Sequence, residues 1–237
     1  MFKTNYQSHD GKYRQFKKEG RAGWNTADGY EKDMPFWQDV FEHDCIPKSG
    51  KLLELGCGAG NLTVWLAGLG YDVYGVDIAP TAIAWARERA DEAGVQADFQ
   101  VGSVLDLENY QDDEFDIVLD GRCFHCIIGD DRSLFLASAY RVLRPDKPFI
   151  ISSMCGTIEY FKWQKKVDYD PVSRCTISKG IATRYIGLVD DIINEVKTQG
   201  FKILDWWVKP HSDEGDIDNL VVLAKKQELS LSNPRTC

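Results

Sequence analysis

An α/β fold built on a doubly wound, mostly parallel sheet of about seven strands, with helices on both faces, is predicted by three observations. Short apolar runs of strand length alternate with segments of helical period from Lys51 onward. The first of those runs ends in a glycine-rich turn, Gly56-Cys57-Gly58-Ala59-Gly60, that opens a helix. The chain of 237 residues is 43% hydrophobic, enough to bury one sizeable core and short for two.

Each element follows from its residues. Residues 1–50 hold a turn-rich start and one helix, because Phe36, Trp37, Val40 and Phe41 fall on one face after Pro35. Lys51 to Gly56 reads as the first strand, Asn61 to Leu69 as its helix, and Asp72 to Asp77 as the second strand. Pro80 suits a first helical turn, Ile83, Ala86 and Ala90 recur at helical spacing, and Gly94 stops the helix. Asp98 to Gly102 and Phe115 to Asp120 supply two more strands, and Ser133 to Leu143 a helix ended by Pro145. Phe149 to Ser153 is a fifth strand, Leu188 to Gln199 a helix closed by Gly200, and Phe201 to Val208 and Asn219 to Lys225 the last strands. The resulting organisation is an N-terminal extension over 1–50, an α/β domain over 51–228 and a polar, frayed tail over 229–237. An insertion over 154–186 breaks the rhythm, and its Tyr160, Phe161, Trp163, Tyr169 and Tyr185 argue for a folded, functional segment.

Bulk charge narrows the function classes. A formal charge of −9 opposes broad attraction to a phosphate backbone, so nucleic acid is the least expected partner. The basic run Lys12, Arg14, Lys17, Lys18 and Arg21 is read as a solvated surface. Seven cysteines, an opening MFKTNYQSHD without the apolar core of a signal peptide, and no stretch of about 20 apolar residues lead to the expectation of a reduced, cytoplasmic protein without a membrane segment.

The chemistry gathers around the glycine turn. A strand that ends in such a turn before a helix aims backbone N–H groups and the positive helix end at a ligand, while glycines let backbone approach closely. Asp77 ends the second strand about 20 positions on, where a carboxylate can accept both hydroxyls of a ribose. Glu54 lies within the otherwise apolar first strand, so it must meet a donor or a positive charge, and a ligand ammonium would serve.

LLELGCGAGNLTVWLA from Leu52 to Ala67, with GVDIAPTAIAWARERA from Gly75, resembles the first two motifs of class I S-adenosylmethionine-dependent methyltransferases. FDIVLDGRCFHCI and the helix ending AYRVLRP are similar to that family's fourth-strand region and following helix, and the resemblance spans roughly Leu52 to Ser153. It implies that Gly56 and Gly58 pack under the methionine part of S-adenosylmethionine and that Asp77, with Ile78 beside it, holds the ribose. It further implies that Ser103 and Val104 border the adenine and that Asp120 lies near the methionine amino group. Where the family usually has Pro-Gly-Gly, this chain has Pro145-Asp146-Lys147-Pro148.

A nicotinamide dehydrogenase shares the architecture, but its fingerprint wants Gly or Ala where Asn61 stands. A catalytically silent scaffold that binds the cofactor and a partner is a third reading. Cys123 and Cys126 form one Cys-x-x-Cys pair with no second pair, so they are read as packing residues and no metal is assigned. His125, just past a strand end, is the candidate base for an acceptor that must lose a proton, although no catalytic residue is fixed by the sequence. Tyr13 and Trp24 place the N-terminal segment over the cofactor as an expected lid. The expected acceptor is a small molecule held between Asp120 and the 154–186 cap, with a protein amine as the alternative. S-adenosylhomocysteine is the expected product.

Overall fold

The computed structural model describes residues 3–157, 168–210 and 217–227. Helices α1 (Ser8–Lys18) and α2 (Ala27–Glu42) precede β1 (Lys51–Leu55), α3 (Asn61–Gly68), β2 (Asp72–Asp77), α4 (Pro80–Ala93), β3 (Asp98–Val101) and β4 (Ile117–Asp120). A 3-10 turn at Phe124–Cys126 leads to α5 (Asp131–Val142) and β5 (Pro148–Cys155). The short strands β6 (Asp168–Asp170), β7 (Cys175–Ser178) and β8 (Ile181–Tyr185) come next, then α6 (Val189–Thr198), β9 (Phe201–Lys209) and β10 (Asp218–Lys226).

The main sheet has seven strands in the order β3-β2-β1-β4-β5-β10-β9. β1 pairs in parallel with β2 on one side and β4 on the other, β2 with β3, and β4 with β5. β10 enters between β5 and β9 and runs antiparallel to both. Strand order reverses direction at β1 and β4, and the crevice above their carboxyl ends is where open α/β sheets receive ligands.

Parallel strands covered on both faces must be apolar on both, and β4 and most of β1 and β5 are buried at every position. One face presents Leu53, Leu55, Val118, Phe149 and Ile151 to Phe135, Ala139 and Val142 of α5 and Ile192 and Val196 of α6. The other presents Leu52, Ile117, Leu119 and Ile150 to Phe36, Trp37, Val40 and Phe41 of α2 and Leu62 and Leu66 of α3. Burial of aliphatic and aromatic side chains at about 1.5–3 kcal/mol each makes these two layers the main source of stability.

Three features depart from the sequence reading. The helix expected after Pro35 begins at Ala27, where the Thr26 hydroxyl accepts the Gly29 N–H at 3.2 Å, and Pro35 lies inside it. The turn-rich start contains α1, whose only buried residue is Tyr13. The insertion carries a three-stranded antiparallel sheet, β6-β7-β8. Among the described residues no helix is long and apolar enough to cross a membrane.

Candidate functional site

Three carboxylates converge at the carboxyl ends of neighbouring strands: Glu54 on β1, Asp77 on β2 and Asp120 on β4. They are 3%, 7% and 0% exposed, so each needs partners inside the protein. Glu54 accepts the Thr63 hydroxyl from the first turn of α3, and its Oε1 occupies the place a side chain at residue 121 would take, so any larger residue there would displace the Glu54 carboxylate. Burial pushes the Glu54 carboxyl up to about 8; the Thr63 bonds hold it back, and the nearby charges of Asp120 and Asp77 push it further.

Asp120 accepts the N–H groups of Cys123 at 2.6 Å and Phe124 at 2.9 Å on Oδ1, while its buried Oδ2 has no hydrogen-bond partner. Burial raises its carboxyl to about 7, against the opposing pull of those N–H groups. Among the described residues no ion pair reaches any of the three acids. These acceptors therefore fit a cationic group, and the orphaned Oδ2 is where one more donor is wanted.

Asp77 fastens the turn itself. Its two oxygens accept the Gly58 N–H at 2.9 Å and the Ala79 N–H at 2.8 Å, which ties the glycine turn to the end of β2. Burial raises its carboxyl and those bonds oppose the rise. Gly56 has φ 66°, and a β-carbon there would lie 2.6 Å from the Cys123 sulfur. Gly58 has φ 55° and faces the Tyr13 hydroxyl, so both positions exclude a side chain by backbone and by space. Ile78 and Ser103 are half-buried beside this rim, Ser103 Oγ accepting the Leu105 N–H at 3.1 Å. Val104 is buried in the core layer under β4.

The N-terminal segment lies directly on the turn. Tyr13 packs with Ala59, Ala79 and Ala82, and Trp24 stands behind it with its ring 5.4 Å from that of Tyr13. Asp10 accepts the Thr81 N–H at 2.8 Å and so caps α4. Asn61, the residue that mismatches a dinucleotide fingerprint, donates to the Ala22 carbonyl at 3.0 Å. Arg89 of α4 reaches the Ala22 and Ala59 carbonyls together. Asp10, Asn61, Thr63, Arg89 and Gly121 were not singled out as site residues by pattern alone. Gly121 directly after a strand-end Asp, and a hydroxyl one helical turn past the glycines, were the signals available.

On the other side of Asp120 the chain makes the 3-10 turn that carries His125. His125 is 5% exposed and its Nδ1 has no hydrogen-bond partner. Burial, reinforced by the guanidinium groups of Arg184, Arg122 and Arg132, drives its pKa well below the ordinary value, so the imidazole is neutral. Burial likewise pushes the Cys126 thiol up to about 11 and the Cys123 thiol well up, and the Cys123 sulfur packs against Gly56. Strand β8 covers this turn. Tyr185 packs with Ile128, Cys175 and Ala182, and Tyr169 with Met154, Ile186 and Ile217, so both aromatic rings fasten the small sheet down. Tyr160, Phe161 and Trp163 lie outside the described residues.

Comparison with known proteins agrees with this geometry. The family model described as a methyltransferase domain matches residues 53–151, the span from β1 to β5. A ubiquinone biosynthesis O-methyltransferase of Azorhizobium caulinodans is 36% identical over 136 residues, covering 54% of this chain and 53% of that protein. One of the same name from Xanthomonas oryzae pv. oryzae is 30% identical over 164 residues, covering 65% of this chain and 67% of its own length. The chain thus spans between about half and two thirds of these curated relatives. A solved structure of a Pyrococcus horikoshii protein superposes with a TM-score of 0.68 at 22% identity, covering 85% of this chain and 93% of that one, which shows the shared fold. By sequence, strand order and the placement of its glycine turn, the chain belongs to the class I S-adenosylmethionine-dependent methyltransferase family.

Proposed function

We propose that this chain transfers a methyl group from S-adenosylmethionine to a small-molecule acceptor by direct displacement. The observation that carries the reading is the convergence of Glu54, Asp77 and Asp120 around the glycine turn with no ion pair among the described residues, a pocket in want of a cation. Bound there, S-adenosylmethionine supplies an electrophilic methyl group on a positively charged sulfur. The residues of the chain do the rest by binding, aligning and excluding water.

In this reading Glu54 and Asp120 receive the amino group of the cofactor and Gly56 and Gly58 let its methionine part lie against backbone. Asp77, with Ile78 beside it, holds the ribose with lone pairs left over from the Gly58 and Ala79 bonds, and Ser103 and Val104 border the adenine. Tyr13 and Trp24 close the pocket as part of a lid formed by the N-terminal extension. His125 takes the proton from a hydroxyl acceptor, for which a neutral imidazole with an unpartnered Nδ1 is the required state. The described part of the insertion, β6 to β8, roofs the acceptor. A small acceptor is supported by the names of the relatives, which methylate in ubiquinone biosynthesis.

The test is incubation with methyl-labelled S-adenosylmethionine and cell extract, followed by separation of label into small molecules, protein and nucleic acid. Label in the small-molecule fraction is expected. Label confined to macromolecules, or calorimetric binding of NADH without binding of S-adenosylhomocysteine, would overturn the reading.

A further inference from the structure

A helical threonine can give its hydroxyl hydrogen to the carbonyl three or four residues back. Thr63, fully buried in the first turn of α3, gives it to Glu54 of β1 instead, nine residues back. The two local carbonyls are otherwise engaged. That of Ala59 accepts Arg89 Nε–H at 2.8 Å, and that of Gly60 accepts the Val64 N–H at 2.9 Å. The start of the helix is fixed as well. Gly60 has φ 72°, and a β-carbon there would lie 2.8 Å from that of Ala86. Asn61 donates to the Ala22 carbonyl at 3.0 Å. A pinned helical turn therefore delivers the Thr63 hydroxyl to the carboxylate.

A hydroxyl has one hydrogen to donate, and here it goes to Oε2 of Glu54. Oε1 lies against Gly121, the residue after Asp120, whose own Oδ2 is unpartnered. The ionisable groups around Glu54 are acids, a phenol and thiols. The charges of Asp120 at the end of β4 and Asp77 at the end of β2 act on it, and its charge acts on Tyr30 of α2, Cys57 of the glycine turn and Cys123. None of these five is a cation, so the pull that favours an ionised Glu54 comes from the hydroxyl and N–H of Thr63.

We propose that Thr63 is a positioning residue for the cofactor, its hydroxyl holding Oε2 of Glu54 so that Oε1 is presented to the ligand ammonium beside Asp120. The inference rests on the methyl-transfer reading above and adds to it the group that keeps Glu54 charged and aimed. A donor to a carboxylate favours its ionised form, so removing the hydroxyl makes capture of the ammonium demand a higher pH. A residue that only filled space would weaken the ligand by the same factor at every pH.

Calorimetric titration of S-adenosylhomocysteine at about pH 7 and about pH 9 tests the proposal. Thr63→Val keeps the shape without the hydroxyl, Thr63→Ala removes both, and Thr63→Ser keeps the hydroxyl. Thr63→Val and Thr63→Ala should bind about tenfold more weakly than the unaltered protein at the lower pH and only about twofold more weakly at the higher. Thr63→Ser should stay within about threefold of it at both. Added to Glu54→Gln, Thr63→Val should change affinity by the same factor at both pH values. Melting temperatures accompany each titration, so that folded proteins are compared. An unchanged affinity or an equal loss at both pH values in Thr63→Val and Thr63→Ala, or a Thr63→Ser protein as weak as Thr63→Val, would overturn the proposal while leaving methyl transfer standing. An unaltered protein that bound no S-adenosylhomocysteine at either pH would instead overturn the methyl-transfer reading, and this inference with it.

Discussion

Loading the three-acid pocket with a ligand ammonium should expel a proton, because burial holds the Glu54 carboxyl near about 8 and Asp120 near about 7. At about pH 6 only roughly one Glu54 in a hundred is ionised, and at about pH 8 half are. A ligand cation that requires the ionised form should therefore bind roughly 50-fold more tightly at the higher pH, about 2 kcal/mol, with Asp120 adding in the same direction over the lower part of the range. Titrating S-adenosylhomocysteine by calorimetry in buffers of different ionisation enthalpy measures the affinity and counts the protons released. About one proton should leave per ligand near neutral pH, and Glu54→Gln, whose amide oxygen still accepts from Thr63, should flatten most of the slope. A pH-independent affinity, or net proton uptake on binding, would refute the reasoning. Without ligand the same group opposes folding as pH rises. Its folded pKa lies above the ordinary 4.5, so the unfolded chain loses the proton first and stability falls from about pH 5 to about pH 8. Glu54→Gln should remove that part of the fall in Tm.

Three further outcomes are expected. Asp77→Ala should weaken S-adenosylhomocysteine by roughly 1.5–3 kcal/mol by calorimetry and also lower Tm, since the Gly58 and Ala79 N–H groups lose their acceptor. Gly121→Ala places a methyl group on the Glu54 carboxylate and should cost about tenfold or more in ligand affinity, readable in the same titration. His125→Gln should reduce turnover of a hydroxyl acceptor by about 10²–10⁴ while leaving cofactor affinity unchanged, as measured by steady-state rates beside calorimetry.

The parts legible in the sequence are those whose local pattern and tertiary role coincide. The turn from Gly56 to Gly60, the strand at Asp72–Asp77 and the helix opened by Pro80 and closed by Gly94 are found where residue chemistry puts them. Burial at Glu54 was legible as a problem, a lone carboxylate in an apolar strand, though its solution by Thr63 and Gly121 was not. Helix α1 was missed because a helix with one buried residue carries little apolar period. It is held by distant partners, Asp10 on the end of α4 and Lys17 on Glu88. The extent of α2 was misread because a proline was taken for a start signal, while the Thr26 cap lies further upstream. The β6-β7-β8 sheet has strands too short for alternation to register. The arginines whose charges act on His125 come from β8, α5 and the exit of β4, and no spacing along the chain announces them.

The covering segment also sets an order of events during synthesis. Lys3 bridges to Ile181 of β8, the Ala182 N–H reaches the Lys3 carbonyl at 3.1 Å, and the Tyr6 hydroxyl donates to Asp131 at 2.8 Å. Those partners follow β4 in the chain, whereas Asp10, Tyr13 and Ala22 meet Thr81, Ala59, Asn61 and Arg89, which precede it. The segment is therefore fastened in two stages, the part over the glycine turn once α4 exists and the part before it only when α5 and β8 arrive.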